Sequence, residues 1–256
     1  HLLVADRHAA QLFVVAPDGK RIEFARFTDG DAPRGLGFAP VTPETRRAYR
    51  ELLFTTPDIE KYISGVILFD ETIRQKTADG VLFVDILKQK GIFPGIKVDE
   101  GVEAFGELEE NVTKGLDGCS TRLEEYKIMG AVFTMWRAVF AIGNGTPSDE
   151  AIIENARRLA EFAYLSQHAG LVPIVEPEVL MDGDHTIETC RDVTKRTLTT
   201  VFQALKTRGV NISSMLLKPN MVLPGEDAAT QVSDEEMAKQ TVDMLRDVAP
   251  PSVPGI

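Results

Sequence analysis

With 256 residues, 43% of them apolar, the chain is long enough for one large α/β domain with a continuous core. Its 39 acidic against 28 basic residues give a net charge of −11, which argues against nucleic acid or an anionic membrane as partner and requires a local basic pocket for any anionic substrate. Cys119 and Cys190 show no C-x-x-C spacing, and no apolar run approaches the roughly eighteen residues of a membrane span. The amino end also lacks the basic-then-apolar order of a signal peptide, so the expectation is a cytoplasmic protein in a reducing compartment.

In chain order, Leu2 to Asp6 (LLVAD) is a first candidate strand closing on a carboxylate. Leu12 to Phe27 alternates around Pro17-Asp18-Gly19-Lys20 and reads as two short strands joined by a turn, and Gly30 to Pro40 is a Gly- and Pro-rich loop. Thr42-Pro43-Glu44 opens a helix to about Phe54, with Thr as N-cap and Pro at the first helical position. Ile63 to Phe69 is a continuous apolar strand, Glu71 to Lys90 is helical with a break near Asp79-Gly80, and Phe93 to Val98 is a strand ending in Lys97 and Asp99. The acids of Glu100 to Glu110 read as a solvated loop. Lys114 to Met129 is a helix that Gly130 stops, and Val132 to Phe140 is a strand carrying Met135, Trp136 and Arg137.

Acids in the first turn after Thr146-Pro147-Ser148 start the next helix, whose buried face is marked by Ile152, Ala156, Leu159 and Ala163. Leu171 to Leu180 is the fifth strand and Thr186 to Arg208 the helix after it. Ser213 to Val222 is the sixth strand; it places Lys218 where Pro219 ends the ladder. Ser233 with Glu236 is a capping box opening a helix to about Val248, and Val253-Pro254-Gly255-Ile256 begins a seventh strand.

Six strand-helix alternations with nearly all-apolar strands mean parallel strands buried on both faces. No Gly-rich turn follows the first strand, and polar residues gather at the carboxyl ends of several strands. The expected fold is therefore a single (β/α)8 TIM barrel over residues 1–256, truncated at the start of strand seven, with 7–41 a divergent, hairpin-like insertion.

Alternation along strands puts Lys97 with Asp99, Met135 with Arg137, and Glu176 with Glu178 on shared faces. Asp6, Lys97, Arg137, Glu176 and Lys218 could then look into one mouth. A ring of structural ion pairs is the plain reading of such a set. The chemical reading is a lysine amine that adds to a ketone, with Glu176 as acid/base. Lys97 and Arg137 would favour the neutral amine of Lys218 by like-charge repulsion and bind substrate oxyanions, while Asp6 could take a proton from a hydroxyl. His1, His8, His168 and His185 show no ligand spacing, which disfavours a metal-dependent mechanism. Trp136 in mid-strand is core.

The motifs GVILFDET (Gly65 to Thr72), GIKVDEG (Gly95 to Gly101), TKGLDG (Thr113 to Gly118), VPIVEPE (Val172 to Glu178), DGDH (Asp182 to His185) and LLKPNMV (Leu216 to Val222) together resemble class I, Schiff-base fructose-bisphosphate aldolase. The resemblance runs from Thr42 to Ile256. It implies glycolytic cleavage of fructose 1,6-bisphosphate to dihydroxyacetone phosphate and glyceraldehyde 3-phosphate, in a homotetramer without metal or cofactor. Lys218 matches the Schiff-base lysine, Glu176 the main acid/base, Glu178 the neighbouring glutamate, and Lys97 and Arg137 the cationic substrate contacts. Asp6 matches the first-strand aspartate through LLVAD alone.

Three departures stand beside the match. Met135 occupies the place of a second active-site lysine, Arg7-His8-Ala9 replaces the family's first βα loop, and the family's Ser-Gly-Gly phosphate loop, phosphate-gripping arginine and carboxyl tail would lie beyond Ile256. These departures leave a second expectation open, an aldolase-like binding or scaffold protein without turnover.

Overall fold

The computed structural model describes residues 2–6, 11–15, 21–26, 42–108 and 110–256, the first three segments by their backbone alone. The chain falls into two units, His1–Leu53 and Phe54–Ile256. In the first, β1 (Leu2–Asp6), β2 (Gln11–Val15) and β3 (Arg21–Arg26) form an antiparallel sheet in the order β1-β2-β3. β2 and β3 are the expected hairpin. β1 is not the first strand of a parallel sheet: Asp6 pairs with Gln11, and the short link between them suits a hairpin, whereas a parallel crossover needs about a dozen residues or more. The expected loop at 30–40 lies outside the described residues. Helix α1 (Pro43–Thr55) starts behind Thr42, whose hydroxyl accepts from Thr45 N at 3.2 Å.

The second unit continues through β4 (Gly65–Leu68), α2 (Asp70–Ile73), α3 (Phe83–Gln89), β5 (Phe93–Lys97), β6 (Val102–Phe105), β7 (Glu110–Thr113) and α4 (Cys119–Met129). After them come β8 (Phe133–Phe140), α5 (Asp149–His168), β9 (Val172–Val179), α6 (Ile187–Arg208), β10 (Leu216–Leu217) and α7 (Asp234–Val248). Five of these strands form one all-parallel sheet in the order β4-β5-β8-β9-β10. Consecutive parallel strands joined by helices are the running pattern of a (β/α)8 barrel, here a truncated one. Beyond β10 the chain returns from α7 so that Leu217 N donates to Gly255 O at 3.1 Å, where a seventh strand would begin.

Three helix starts share one device. Ser148, Thr186 and Ser233 precede α5, α6 and α7 as N-caps, their hydroxyls accepting from Ala151 N, Thr189 N and Glu236 N. Further elements differ from the sequence reading: the helix expected over Glu71 to Lys90 is confined to α2 and α3, and the one expected from Lys114 starts at Cys119. The acids of Glu100 to Glu110 are a hairpin rather than a free loop: β6 and β7 pair antiparallel from Val102↔Thr113 to Phe105↔Glu110, and Glu110 accepts from Ser148 N at 2.9 Å. The sixth strand is shorter than Ser213 to Val222, because Ile212–Ser214 is a 3-10 turn and the ladder stops at Pro219.

The two faces of the sheet have different neighbours. Trp136, Ala138 and Val175 are fully buried on the face that meets the helices, with Trp136 stacked on Phe162 of α5 at 5.5 Å between ring centroids. The opposite face carries Phe133, Met135, Arg137 and Val139 of β8 and Val172, Ile174, Glu176 and Glu178 of β9. At its amino-terminal end this inner face is an apolar hollow of about 540 Å³ lined by Ile67, Phe93, Phe133, Val172, Ile174 and Leu216. The Phe133 ring lies across Gly95 so closely that a Cβ there would sit 2.2 Å from it, which accounts for glycine in GIKVDEG.

Candidate active site

At the carboxyl end of the same inner face the apolar lining gives way to charge. Register aligns Lys97 with Met135 and Ile174, and Arg137 with Glu176. Lys218 follows Leu217, the partner of Val175, so it stands opposite Glu176. The Lys218 ammonium contacts Glu176 Oε1. Arg137 Nε donates to Glu178 Oε2 at 2.5 Å and lies 4.0 Å from Glu176 Oε1, and Lys97 Nζ pairs with Asp99 Oδ1. Four of the expected residues, Arg137, Glu176, Glu178 and Lys218, thus form one connected cluster. Lys97 joins it through Asp99, whose other oxygen accepts from Arg137 N at 3.2 Å. Asp6 is not among the strand ends of this sheet, because β1 belongs to the antiparallel sheet; its side chain lies outside the described residues.

The carboxylates and the cations are buried unequally. Glu176 and Asp99 are 4% and 3% exposed, while Lys218 is 57% and Arg137 41% exposed. The nucleophile candidate is therefore open to an incoming carbonyl, and its partner is the desolvated group. Glu176 Oε2 is buried and has no hydrogen-bond partner among the described residues. A desolvated carboxylate touching an amine has the geometry that acid/base work requires. The hydrogen bond that Arg137 gives to Glu178 raises the pKa of Arg137 above its ordinary value, so that cation is permanent.

Met135 is 8% exposed on the floor of this cluster, below Arg137 on its own strand and beside Lys97 on β5. A thioether adds no charge there. The three cations Lys97, Arg137 and Lys218 each face a carboxylate, Asp99, Glu178 and Glu176 respectively. The like-charge pressure on Lys218 expected from its cationic neighbours is therefore offset at each position by a nearer carboxylate.

Sequence reasoning left two contributors outside the candidate set. Asp99 was grouped with Lys97 by face only, although its near-complete burial marks it as part of the site. Asn220 was passed over as a residue of the LLKPNMV motif; its side chain accepts from Val179 N at 3.0 Å and donates to Thr194 Oγ1 at 3.1 Å. An amide directly after a strand-ending Lys-Pro is the signal available, because side-chain amides commonly take over where a ladder ends.

The loops after β9 and β10 are laced together above the cluster. Gly225 N donates to His185 O at 2.8 Å, Glu226 N to Met181 O at 2.9 Å, and Asp227 N to Gly183 O at 2.9 Å. A Cβ on Gly225 would lie 2.1 Å from Gly183 O, so this approach is open to glycine alone. The DGDH motif is the half of this lacing contributed by β9's loop.

Comparison with known proteins agrees with the geometry. The family model described as "Glycolytic: Fructose-bisphosphate aldolase class-I" matches residues 39–256. A protein of Xanthomonas campestris pv. campestris, named probable fructose-bisphosphate aldolase class 1, is 53% identical over 246 residues, covering 95% of this chain and 73% of its own length. Cytosolic fructose-bisphosphate aldolase 4 of Arabidopsis thaliana is 53% identical over 212 residues, 82% of this chain and 54% of its own. A solved structure of fructose-bisphosphate aldolase from Plasmodium falciparum, in complex with TRAP and a small-molecule inhibitor, superposes with a TM-score of 0.82 at 46% identity, covering 84% of this chain and 62% of that one. The chain thus spans from about half to three quarters of the length of these relatives. It belongs to the class-I fructose-bisphosphate aldolase family.

Proposed function

We propose that the chain carries out the Schiff-base aldol chemistry of its family, the reversible cleavage of fructose 1,6-bisphosphate to dihydroxyacetone phosphate and glyceraldehyde 3-phosphate. The observation that carries this reading is the contact of an exposed lysine amine, Lys218, with a buried carboxylate, Glu176, at the carboxyl ends of adjacent parallel strands. Deprotonated Lys218 adds through Nζ to the substrate ketone carbon, the C–N bond forming as the carbonyl π bond breaks, and an amine proton passes to the oxygen to give a carbinolamine. Glu176, protonated, gives its proton to the departing hydroxyl, water leaves, and an iminium remains.

The bond between the carbons α and β to the iminium breaks, and its electron pair forms the enamine double bond as the C=N π pair moves to nitrogen. A carboxylate takes the proton of the hydroxyl that becomes the aldehyde; Glu176, with one oxygen unpartnered, is placed for this. The enamine carbon is then protonated and water hydrolyses the imine, restoring the Lys218 amine. Arg137 and Lys97 are the cations on hand for substrate oxyanions, held in place by Glu178 and Asp99. Met135 adds no charge toward the reacting oxygens, so imine formation should run ahead of complete cleavage. The reading without turnover, as a scaffold, has no observation in its favour.

The test is borohydride trapping with dihydroxyacetone phosphate, read by intact mass and peptide mapping beside turnover of fructose 1,6-bisphosphate. A stable adduct on Lys218, absent from Lys218→Ala, is the expected result. Folded protein without adduct would sink the enzyme reading. A homotetramer and a cytosolic setting belong to the same proposal, supported by the family resemblance and by cytosolic names among the relatives. Light scattering that shows only monomer would count against that assembly.

A further inference from the structure

β9 outlasts its neighbour. β10 pairs with it only through Leu216↔Ile174 and Leu217↔Val175, and the last ladder bond runs from Lys218 N to Val175 O at 2.9 Å. In a parallel pair, alternate residues of each strand point their backbone groups at the partner, so Pro177 and then Val179 are next in line on β9. Pro177 has no N–H to give, so the rung after Lys218 N to Val175 O is missing. Yet Glu176, Glu178 and Lys218, the groups that must keep a fixed separation, lie along this unladdered edge.

The gap is closed by one side chain. Asn220 Oδ1 accepts from Val179 N at 3.0 Å, while its Nδ2 donates to Thr194 Oγ1 of α6 at 3.1 Å and to Met221 O at 3.0 Å, with Cys190 Sγ at 3.9 Å. A single amide thereby ties the residue after Glu178, the second residue after Lys218, and the helix behind both strands. We propose that Asn220 is a positioning residue for the Schiff-base step: it stands in for the ladder bond that Pro177 removes and holds Lys218 against Glu176. This rests on the assignment of Lys218 as nucleophile. The amide does not reach the reacting atoms itself; it acts through the two strand ends.

The experiment is timed borohydride trapping on the full chain over a range of dihydroxyacetone phosphate concentrations, for wild type, Asn220→Ala, Asn220→Asp and Thr194→Val. Misplacing a reacting pair by about 1 Å costs on the order of a hundredfold in rate. Asn220→Ala is therefore expected to lower the saturating rate of adduct formation by roughly ten- to a hundredfold, with the half-saturating concentration unchanged. Asn220→Asp keeps an acceptor for both Val179 N–H and the Thr194 hydroxyl and should recover most of that rate. A role limited to stability would instead lower the melting temperature and leave the saturating rate per folded molecule where it was.

If Asn220→Ala does not fold, Thr194→Val carries the test, since it removes one anchor of the amide at nearly constant volume; a severalfold slower rate is expected. Adduct formation at the wild-type rate in Asn220→Ala, or in Thr194→Val where that variant stands in, overturns the role of Asn220 and leaves the function intact. Wild-type protein that forms no adduct overturns the functional reading, and the inference with it.

Discussion

The two faces of β8 and β9 are built from alternate residues of the same strands, and they could hardly differ more. One face presents Trp136, Ala138 and Val175, none of them exposed, to the helices; the other presents Met135, Arg137, Glu176 and Glu178 to the space inside the sheet. Stability and chemistry are thus interleaved at a spacing of one residue. Neighbouring substitutions in one strand should have different consequences, a loss of rate on one face and a loss of stability on the other.

The largest effect is expected on the inner face. Glu176→Gln keeps the shape but cannot exchange the proton, and general acid–base catalysis contributes roughly 10²–10⁴-fold. Turnover should fall by that order with the melting temperature nearly unchanged. A variant that kept its rate would remove Glu176 from the acid/base role. On the outer face, Trp136→Ala deletes a fully buried ring and its stacking on Phe162. The expected cost is about 3–5 kcal/mol in chemical denaturation, with adduct formation per folded molecule intact. If trapping failed while the protein remained folded, the separation of the two faces would be wrong.

The smallest effect tests what lies behind the outer face. Hydrogen bonds from Arg157 and Arg158 lower the pKa of Glu154 on α5 to about 2, with Arg157 the larger cause. Arg158 also donates to Thr113 O at 2.9 Å and Glu103 at 2.7 Å, tying the β6-β7 hairpin to α5. A carboxylate depressed in the folded state stabilises it above its unfolded pKa, and that stability is lost as pH falls through the folded value. The window is therefore from about pH 4.5 down to about pH 2. Glu154→Gln should flatten the acid limb of the stability curve there by less than about 1 kcal/mol, since much of the pair is screened by solvent. Urea unfolding at several acid pH values reads this directly.

The parallel strands from β4 to β9 were legible because each is an apolar run closed by a polar residue, and the hydrophobic effect fixes which face goes inward. Lys97, Arg137 and Glu176 followed from alternation and from their place at strand ends, and Lys218 from the proline that ends its strand. β1 was not legible as a hairpin partner: LLVAD has the composition of a buried parallel strand, and its partner is set by the short link to Gln11, which composition does not reveal. The hairpin at Val102 to Thr113 was hidden by its acids. Its strands are half-solvated, so charge density there signals a wet face rather than a missing strand, and the contacts that hold it come from Asn155 and Arg158 on a helix far along the chain. Asn220 was obscured for the reverse reason: it is a polar residue whose side chain accepts from Val179 N just past the rung that Pro177 leaves unmade.

Trp136 is the only tryptophan in the chain, and it belongs to the unit Phe54–Ile256. The molecule therefore carries a built-in optical reporter for that unit alone. Its indole sits in hydrocarbon between the sheet and α5, flanked in sequence by Met135 and Arg137. Emission should start blue-shifted and move red when the sheet and α5 separate, so tryptophan fluorescence follows the unit Phe54–Ile256. Comparing that signal with far-ultraviolet dichroism, which sees both units, would show whether the two melt together or in sequence, without any label being added.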